Sequence, residues 1–365
     1  MLYQTEFAKR PLKIETNSLA SQSSGSVLVS FGKTMVLGTA TMSRNDIEAD
    51  FLPLTVDYEE RFYAGGKIKG SRYVRREGRP TEEATLTSRM IDRALRPYFP
   101  KNLRREIQVI LTVLAFDEEN DPDFPAFLAA SLSLLISDIP WQGPVAGMRI
   151  SINNDSSNLG TERSEDTNSI NIVLNPTYKE REEAELDIFI SGIEDENNDI
   201  LFNMIDGEAD EISEEKVIDT LNFSKEAIKT LSLFQKEIQQ KEGKEKIALA
   251  QPEEDLDKLY KKYQSKIKES LLLEKEEDGK KKSSLALEKL KEELEISNSS
   301  FEELVEKVLH RMVLDEDMRP DGRKMNEMRK IECRVGILSQ THGSGLFLRG
   351  LTHVLSILTL GAPGD

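Results

Sequence analysis

The stretch Ser21-Gln-Ser-Ser-Gly-Ser-Val-Leu-Val-Ser-Phe-Gly-Lys-Thr-Met-Val-Leu-Gly-Thr-Ala-Thr41 contains two short runs of strand-forming residues. Residues 26–31 and 34–41 are rich in apolar and β-branched side chains, and only Gly32-Lys33 separates them. A two-residue link that contains glycine is typical of a β-hairpin. We therefore predict two antiparallel strands joined by a tight turn at Gly32-Lys33.

The same pattern returns 318 residues later, which indicates an internal repeat. Ser21-Gln-Ser-Ser-Gly-Ser26 is echoed by Ser339-Gln-Thr-His-Gly-Ser344. Upstream, Lys13-Ile-Glu15 matches Lys330-Ile-Glu332 with a shift of one residue. Further matches at the same spacing are Gly32 with Gly350, Thr34 with Thr352, Val36-Leu37 with Val354-Leu355, and Thr41 with Thr359. We predict that a second copy of the first domain begins near Arg319 and is cut short at Asp365.

Around the first hairpin, the sequence mixes strand and helix patterns, which predicts an α+β domain. Thr81 is placed to cap a helix that ends at Pro97. The run Ile107–Phe116 is almost continuously apolar, which predicts a strand buried on both faces. Residues 127–136 are apolar all round, as in a helix inside a core. Further strands are predicted at 52–58, 146–152, 170–174, 186–191 and 200–205.

From residue 213 the periodicity becomes helical for about a hundred residues. Residues 241–300 hold 14 Lys against 15 Asp and Glu, which is typical of solvated helices with intrahelical ion pairs. Ser300 and Glu303 have the spacing of a capping box, and Arg319-Pro-Asp-Gly322 is a strong turn signal. We predict a first core over 1–212, an all-helical domain over 213–318, and the beginning of a second core over 319–365.

The composition excludes two classes of protein. A single cysteine, Cys333, cannot form an internal disulfide framework. The longest apolar stretch, residues 124–136, is too short to span a bilayer, and no signal peptide is visible at the amino terminus. We therefore expect a cytoplasmic protein with no membrane partner.

Charge is distributed unevenly along a chain whose net charge is −17. The segment Arg61–Arg79 holds seven Lys or Arg residues against one acid, together with four glycines and three aromatic rings. Residues 151–215 hold 19 acids against three cations. Cations interleaved with flat rings are typical of a surface that binds single-stranded nucleic acid. The alternative is a solvated loop whose cations pair with acids elsewhere on the surface.

With these features in view, the chain resembles the bacterial polynucleotide phosphorylases, which are phosphorolytic 3′-to-5′ exoribonucleases. The motifs that carry the resemblance span the whole chain. They are Phe51–Tyr58, Tyr63–Ser71, Arg75–Pro80, Met90–Arg93, Arg96-Pro97, Ile139–Pro144, Arg319–Arg323 and Thr341–Ser344.

The resemblance implies an RNase PH-like core, an all-helical linker domain and the first strands of a second RNase PH-like core. It also implies a homotrimeric ring through which single-stranded RNA passes, a role in mRNA degradation, and other components of an RNA-degradation complex as partners. The loop that corresponds to residues 71–79 would grip the RNA at the mouth of the channel. The residues assigned to this grip are Arg72, Tyr73, Arg75, Arg76 and Arg79.

The implied reaction is attack of inorganic phosphate on the 3′-terminal phosphodiester, which releases nucleoside diphosphates with the help of Mg²⁺. In the family, the phosphate site and the metal-binding aspartates lie in the second core, so we expect the catalytic residues beyond Asp365 and no metal ligands in this chain. Neither a Walker-type loop nor a metal-ligand spacing around His310, His342 or His353 offers a substitute. Asp92 is expected to pair with a neighbouring arginine.

Two alternatives remain open. The chain is either the RNA-gripping part of an active exoribonuclease or a catalytically inactive RNA-binding or structural subunit of a phosphorolytic ring. A third and weaker hypothesis is that the first core is active by itself, like a one-domain RNase PH.

Overall fold

The structure is a computed structural model that describes residues 1–47, 49, 51–68, 78–153, 171–249, 256–272, 276–277, 280–294, 298–321 and 323–362. Contacts between residues divide the chain into two compact units, Met1–Ala250 and Gln251–Asp365.

The first unit is an α+β fold, as predicted. Its strands, in chain order, are β1 (Leu2–Phe7), β2 (Arg10–Thr16), β3 (Gly25–Phe31), β4 (Thr34–Asp46), β5 (Leu54–Glu60), β6 (Arg105–Ala115), β7 (Ala146–Asn153), β8 (Ile172–Leu174), β9 (Ala184–Glu194) and β10 (Ile200–Ala209). Its α-helices are α1 (Glu82–Leu95), α2 (Asp123–Ile136), α3 (Tyr178–Glu182) and α4 (Glu214–Glu242). Short 3₁₀ helices cover Phe62–Gly65 and Arg96–Tyr98.

The strands form two sheets. The first has the order β1-β2-β3-β4-β6-β5 and is antiparallel except for the pair β5 and β6, which is parallel. The second has the order β10-β9-β7-β8 and is antiparallel throughout. The predicted hairpin is confirmed, because β3 and β4 pair directly across Gly32-Lys33.

Helix α2 is the centre of this unit. It packs against β3 and β4 of the first sheet and against β7 of the second sheet. All of its residues are buried, as its apolar composition predicted. The Phe124 ring contacts Phe31 at 4.9 Å between centroids, and Phe127 contacts Phe189 at 5.2 Å. The helix therefore joins both sheets into one hydrophobic core.

Two glycines allow α2 to lie close to the first sheet. A Cβ atom on Gly25 would lie 2.1 Å from the backbone oxygen of Ser133, and one on Gly38 would lie 2.8 Å from the Cβ of Ala129. Any larger residue at these positions would push the helix away from the strands.

The carboxyl end of α2 is capped by a lysine from the segment that follows α4. The Lys246 Nζ donates hydrogen bonds to the backbone oxygens of Leu134, Leu135 and Ser137 at 2.8, 3.0 and 2.8 Å. A cation at this end of a helix satisfies carbonyl groups that have no partner within the helix. Contacts thus place α4 and this segment in the first unit, whereas the sequence division began the helical domain at residue 213. The three-part domain division stays a prediction.

Helix α1 begins as the sequence indicated. The Thr81 Oγ1 accepts a hydrogen bond from the Ala84 backbone N–H at 3.1 Å. Asp92 pairs with Arg96 at 2.7 Å, which confirms the expected arginine partner. The same guanidinium donates to the backbone oxygens of Leu52 and Leu54.

Strand β6 differs from its prediction. We expected burial on both faces, but buried and partly exposed residues alternate along it. Ile107, Val109, Leu111 and Val113 face the core, whereas Gln108 is exposed. The expectation was wrong because α2 covers only one face of the sheet. The other face of β6 therefore remains partly exposed.

The second unit consists of helices and short strands. Its helices are α5 (Leu256–Leu271), α6 (Lys282–Leu294) and α7 (Asn298–Glu316), and its strands are β11 (Glu276–Glu277), β12 (Lys280–Lys281), β13 (Ile331–Val335), β14 (Gly343–Arg349) and β15 (Thr352–Leu358). The helices share a small core that includes Ile267, Leu304 and Met312. Across the described residues of both units, no helix combines the length and apolar character needed to cross a bilayer.

The predicted capping box at Ser300 is wrong. Helix α7 begins at Asn298, so Ser300 lies within its first turn, where it is buried. The spacing of Ser300 and Glu303 also fits two residues one turn apart within a helix that began before Ser300.

The β13–β15 sheet repeats the geometry of β2–β4. In the first hairpin Gly25 pairs with Ala40 and Phe31 with Thr34. In the second, Gly343 pairs with Leu358 and Arg349 with Thr352, so the register is identical at a spacing of 318 residues. Both turns hold a glycine in the left-handed region, Gly32 at φ +62° and Gly350 at φ +59°.

The upstream strand also repeats, but two residues away from the sequence match. Ile14 pairs with Val29, and the corresponding partner of Phe347 is Cys333, not Ile331. The match of Lys13-Ile-Glu15 with Lys330-Ile-Glu332 was therefore wrong. The loop between the strands is one residue shorter in the second copy, whereas the match required a longer loop.

Gly25 and Gly343 occupy equivalent positions in the two hairpins, but we predict that only Gly25 is needed for stability. We expect Gly25→Ala to destabilise the first unit by about 1–3 kcal/mol, because the new methyl group would overlap the Ser133 carbonyl. Thermal and urea unfolding would measure this loss. The matched control is Gly343→Ala, whose Cβ would lie 3.3 Å from that of Leu358, so only a small change is expected. Equal effects of both substitutions would contradict the close packing of α2 on β3.

Candidate nucleic-acid interface

The structure places part of the basic segment Arg61–Arg79. Arg72, Tyr73, Arg75 and Arg76 lie outside the described residues, so their roles stay predictions. Arg79 is described and exposed.

On the amino-terminal side, a tight turn presents two aromatic rings to solvent. Residues 62–65 form one turn of 3₁₀ helix after β5, and the Lys67 backbone N–H donates to the Phe62 carbonyl at 3.0 Å. Gly66 closes the turn in the left-handed region, at φ +67°, which glycine adopts without strain. Phe62 and Tyr63 remain 46% and 58% exposed. The turn thus presents aromatic surface from both residues to solvent.

On the carboxyl-terminal side, the segment runs directly into α1. Arg79 precedes Pro80, and a residue before proline favours an extended backbone. Thr81 then caps the helix, so the position of the Arg79 backbone is fixed two residues before a rigid element. Arg79 forms no ion pair with any described carboxylate.

The two sides meet around one depression of about 540 Å³. Arg61, Phe62 and Lys67 line it from one side, and Arg79 and Thr81 from the other. The fold thus brings together the two ends of a segment that the sequence marked as one functional region.

Phe116 and Tyr178 complete the wall of this depression, and the sequence analysis did not identify either of them. Their rings pack edge to face, 6.0 Å apart at 84°. Tyr178 opens α3, which begins with a capping box formed by Thr177 and Glu180. That Thr-x-x-Glu spacing was the available sequence signal, but it indicates only the start of a helix.

Carboxylates and cations occupy different parts of the depression. Glu59, Glu60 and Glu83 contribute to its lining. Burial, together with the nearby Glu83 carboxylate, raises the pKa of Glu60, while a hydrogen bond from Tyr58 opposes that shift. Lys67 reaches Glu118 at 3.8 Å, and both side chains are largely exposed, so this pair contributes little stability.

Behind Tyr178 lies a buried cluster of three aspartates and two arginines. The Arg149 guanidinium contacts Asp123 at 2.6 Å and Asp187 at 3.2 Å. Arg181 contacts Asp187 at 2.7 Å and also pairs with Asp121. The cluster ties the turn before α2 to β7, α3 and β9, and its cations are held by its own carboxylates. Its geometry therefore fits a structural role.

Within this cluster, the Asp121 carboxyl group is the one whose ionised form is destabilised by its surroundings. Burial and the neighbouring Asp123 carboxylate raise the pKa of Asp121 to about 7, against the opposing influence of Arg149 and Arg181. The local sequence of residues 117–123 does not indicate this cluster, because the arginines that approach it are distant in sequence.

The described residues also bear on metal binding. They contain no group of three or more His, Cys, Asp or Glu side chains arranged to hold a metal ion. His342 uses its Nδ1 atom to accept a hydrogen bond from the Leu360 backbone N–H at 2.8 Å. The described donor set thus does not fit Mg²⁺.

The buried cluster predicts a pH-dependent effect of Asp121→Asn. A carboxyl group whose pKa is higher in the folded than in the unfolded chain binds a proton on folding, so stability falls as the pH rises from about 4 to about 7. The uncharged variant lacks this loss. We expect its melting temperature to rise relative to the parent by roughly 2–4 °C between pH 5 and pH 8.

Melting curves of both proteins at the two pH values would check this expectation. Asp46→Asn removes an exposed carboxylate that pairs with Arg105 at 3.0 Å, and controls for the loss of one charge. A difference between Asp121→Asn and the parent that is the same at both pH values would show that the Asp121 carboxyl group is not destabilised by burial.

Comparison with known proteins identifies the family. Residues 8–140 match the 3′ exoribonuclease family, domain 1, and residues 143–227 match domain 2 of the same family. The whole chain is 38% identical to a polyribonucleotide nucleotidyltransferase of Geobacillus kaustophilus and 39% identical to one of Staphylococcus carnosus. It covers 49% and 51% of these two proteins, so it spans about half the length of the curated relatives that it matches. The two domain matches lie on the two sheets of the first unit and together cover more than half of the chain, which therefore belongs to the 3′ exoribonuclease family that contains RNase PH.

Proposed function

We propose that this chain is the RNA-gripping part of a phosphorolytic 3′-to-5′ exoribonuclease. The observation that carries the proposal is the convergence of the exposed Phe62 ring and the cations Arg61, Lys67 and Arg79 around the depression formed by the two ends of Arg61–Arg79. The names of the relatives support the reaction class, namely nucleotidyl transfer that involves a polyribonucleotide.

The chemistry of the depression suits a single RNA strand. Phe62 and Tyr63 offer faces on which bases of any sequence can stack. Arg79 and Lys67 supply cations for the phosphates between those bases. The carboxylates of Glu60 and Glu83, which also line the depression, would repel phosphates and can accept hydrogen bonds from the amino groups of bases. A strand would therefore place its bases against the rings and carboxylates and its phosphates against Arg79 and Lys67.

The wider features implied by the family belong to the same proposal. These are a homotrimeric ring, inorganic phosphate as co-substrate, Mg²⁺ as cofactor, a cytoplasmic location and a role in mRNA degradation. When bound, Mg²⁺ would offset the negative charge of the phosphoryl group during transfer.

A second candidate is a catalytically inactive RNA-binding or structural subunit of a phosphorolytic ring. The buried cluster of Asp121, Asp123, Asp187, Arg149 and Arg181 favours it, because those charges are already paired with one another. The coding sequence downstream of Asp365 separates the candidates. A serine-rich phosphate loop with paired aspartates would support the enzyme, and a stop codon would support the inactive subunit.

The grip predicts a loss of RNA affinity in Arg75→Ala/Arg76→Ala. Two fewer phosphate contacts should weaken binding of single-stranded RNA and lower the slope of log affinity against log salt by roughly one to two. Fluorescence anisotropy with labelled oligoadenylate at several salt concentrations would measure both quantities. Arg311→Ala/Arg334→Ala is the matched control, since each of these arginines already pairs with a carboxylate. Unchanged affinity and slope in the loop variant would rule out the assigned grip.

If this chain supplies the RNA grip and the catalytic residues lie beyond Asp365, the chain should bind RNA without degrading it. We expect residues 1–365 to release no nucleoside diphosphate from oligoadenylate in the presence of phosphate and Mg²⁺. Thin-layer chromatography of labelled products would detect release, and an active family member would serve as the positive control. Phosphate-dependent release by this chain would instead support a first core that is active by itself.

A further inference from the structure

The second unit contains a group of arginines that the proposed RNA grip does not use. Arg319, Arg323, Arg329 and Arg349 line one depression of about 440 Å³ next to the β14–β15 turn. Glu327 is the acid in this lining, and Asp321 lies beside it in the neighbouring depression. Four guanidinium groups therefore face two carboxylates, within a chain that carries a net charge of −17.

Two of the four arginines, Arg319 and Arg323, hold the wall of the depression together through hydrogen bonds to its backbone. Arg319 donates to the backbone oxygen of Glu327 at 3.3 Å, and Arg323 donates to the same oxygen at 2.7 Å. Arg323 also pairs with Asp321 at 2.8 Å. Bonds to carbonyl groups hold a guanidinium in place without neutralising its charge.

The other two arginines are more open. The Arg329 Nε lies 3.6 Å from the Asp321 carboxylate, which Arg323 already contacts more closely. Arg349 forms no ion pair with a carboxylate in the described part of the chain. Both are exposed, so their planar forks can reach a bound anion.

In the first copy of the repeat, the residues equivalent to Arg329 and Arg349 are arranged differently. There Arg10, the equivalent of Arg329, lies 5.0 Å from the centre of the Phe31 ring, and Phe31 is the equivalent of Arg349. Arg10 also bonds to Asn120 and to the Asn175 carbonyl. In the second copy a second guanidinium replaces the ring, and the Arg329 side chain packs beside Gly350. The first copy thus pairs a guanidinium with an aromatic ring, whereas the second copy places two guanidinium groups, those of Arg329 and Arg349, in one depression.

We propose that the Arg319–Arg323–Arg329–Arg349 depression binds a phosphate group, either free inorganic phosphate or a phosphate of RNA. Bidentate hydrogen bonding by arginine matches the tetrahedral oxygens of phosphate, and two adjacent guanidinium groups are stabilised by a shared dianion. This site is separate in sequence from Arg61–Arg79 and does not depend on the grip assigned there.

The test uses Arg329→Ala/Arg349→Ala in the full chain, with Arg311→Ala/Arg334→Ala as the control of equal charge. Calorimetric titration with inorganic phosphate should show about tenfold weaker binding in the first variant and parent-like binding in the control. A second arm measures labelled oligoadenylate in the Arg75→Ala/Arg76→Ala background, so that the grip contributes nothing. A further drop of about one to two in the salt slope there would identify RNA as the source of the phosphate.

Two additional variants separate binding from folding. Arg349→Gln removes only the arginine without a described carboxylate partner, so it leaves the bonds of the wall intact. Arg329→Lys/Arg349→Lys keeps the charge and should retain part of the phosphate affinity. Weaker phosphate binding in Arg349→Gln, with an unchanged melting temperature, supports the site. Parent-like binding of both phosphate and oligoadenylate by Arg349→Gln and by the double alanine variant would overturn it.

Discussion

The burial of α2 between two sheets is the constraint on which the first unit depends. The helix has no solvated face, and it packs on strands of both sheets and on α4. Gly25 and Gly38 set its distance from β3 and β4, and Lys246 satisfies its last carbonyl groups. At its other end, Asp123 connects it to the buried aspartate and arginine cluster. The position of that helix thus fixes both the core and the turn that supports Tyr178.

The first unit also separates cations that are paired inside the protein from cations that are exposed. The cluster behind Tyr178 uses its arginines internally, so it offers no positive charge to solvent. The exposed cations lie instead at the two ends of the basic segment, next to Phe62 and Tyr63. A strongly acidic protein can bind a polyanion only where cations outweigh the nearby carboxylates. Here that excess belongs to the whole of Arg61–Arg79, which holds seven cations against one acid.

Much of this arrangement could be predicted from the sequence, because it depends on local patterns. The hairpin at Gly32, the Thr81 cap and the apolar helix at 127–136 are each specified by neighbouring residues. The exposed face of β6 could not be predicted, since an apolar run does not reveal which of its sides is covered. The register of β13 depended on the length of a loop. Phe116 and Tyr178 were missed for a related reason, because their shared wall exists only after distant segments meet.

The two hairpins keep one backbone while their side chains have diverged. Asn17 and Gly336, both in the left-handed region, donate to Ser26 and Ser344 at 2.9 and 2.8 Å. The turn amides of Gly32 and Gly350 repeat a bond to the preceding strand at 3.2 and 3.0 Å. These repeated bonds are made by main-chain groups, so the hairpin geometry does not depend on most of the side chains that it carries. Each copy can therefore present its own chemistry on the same backbone, as Phe31 and Arg349 do at equivalent positions.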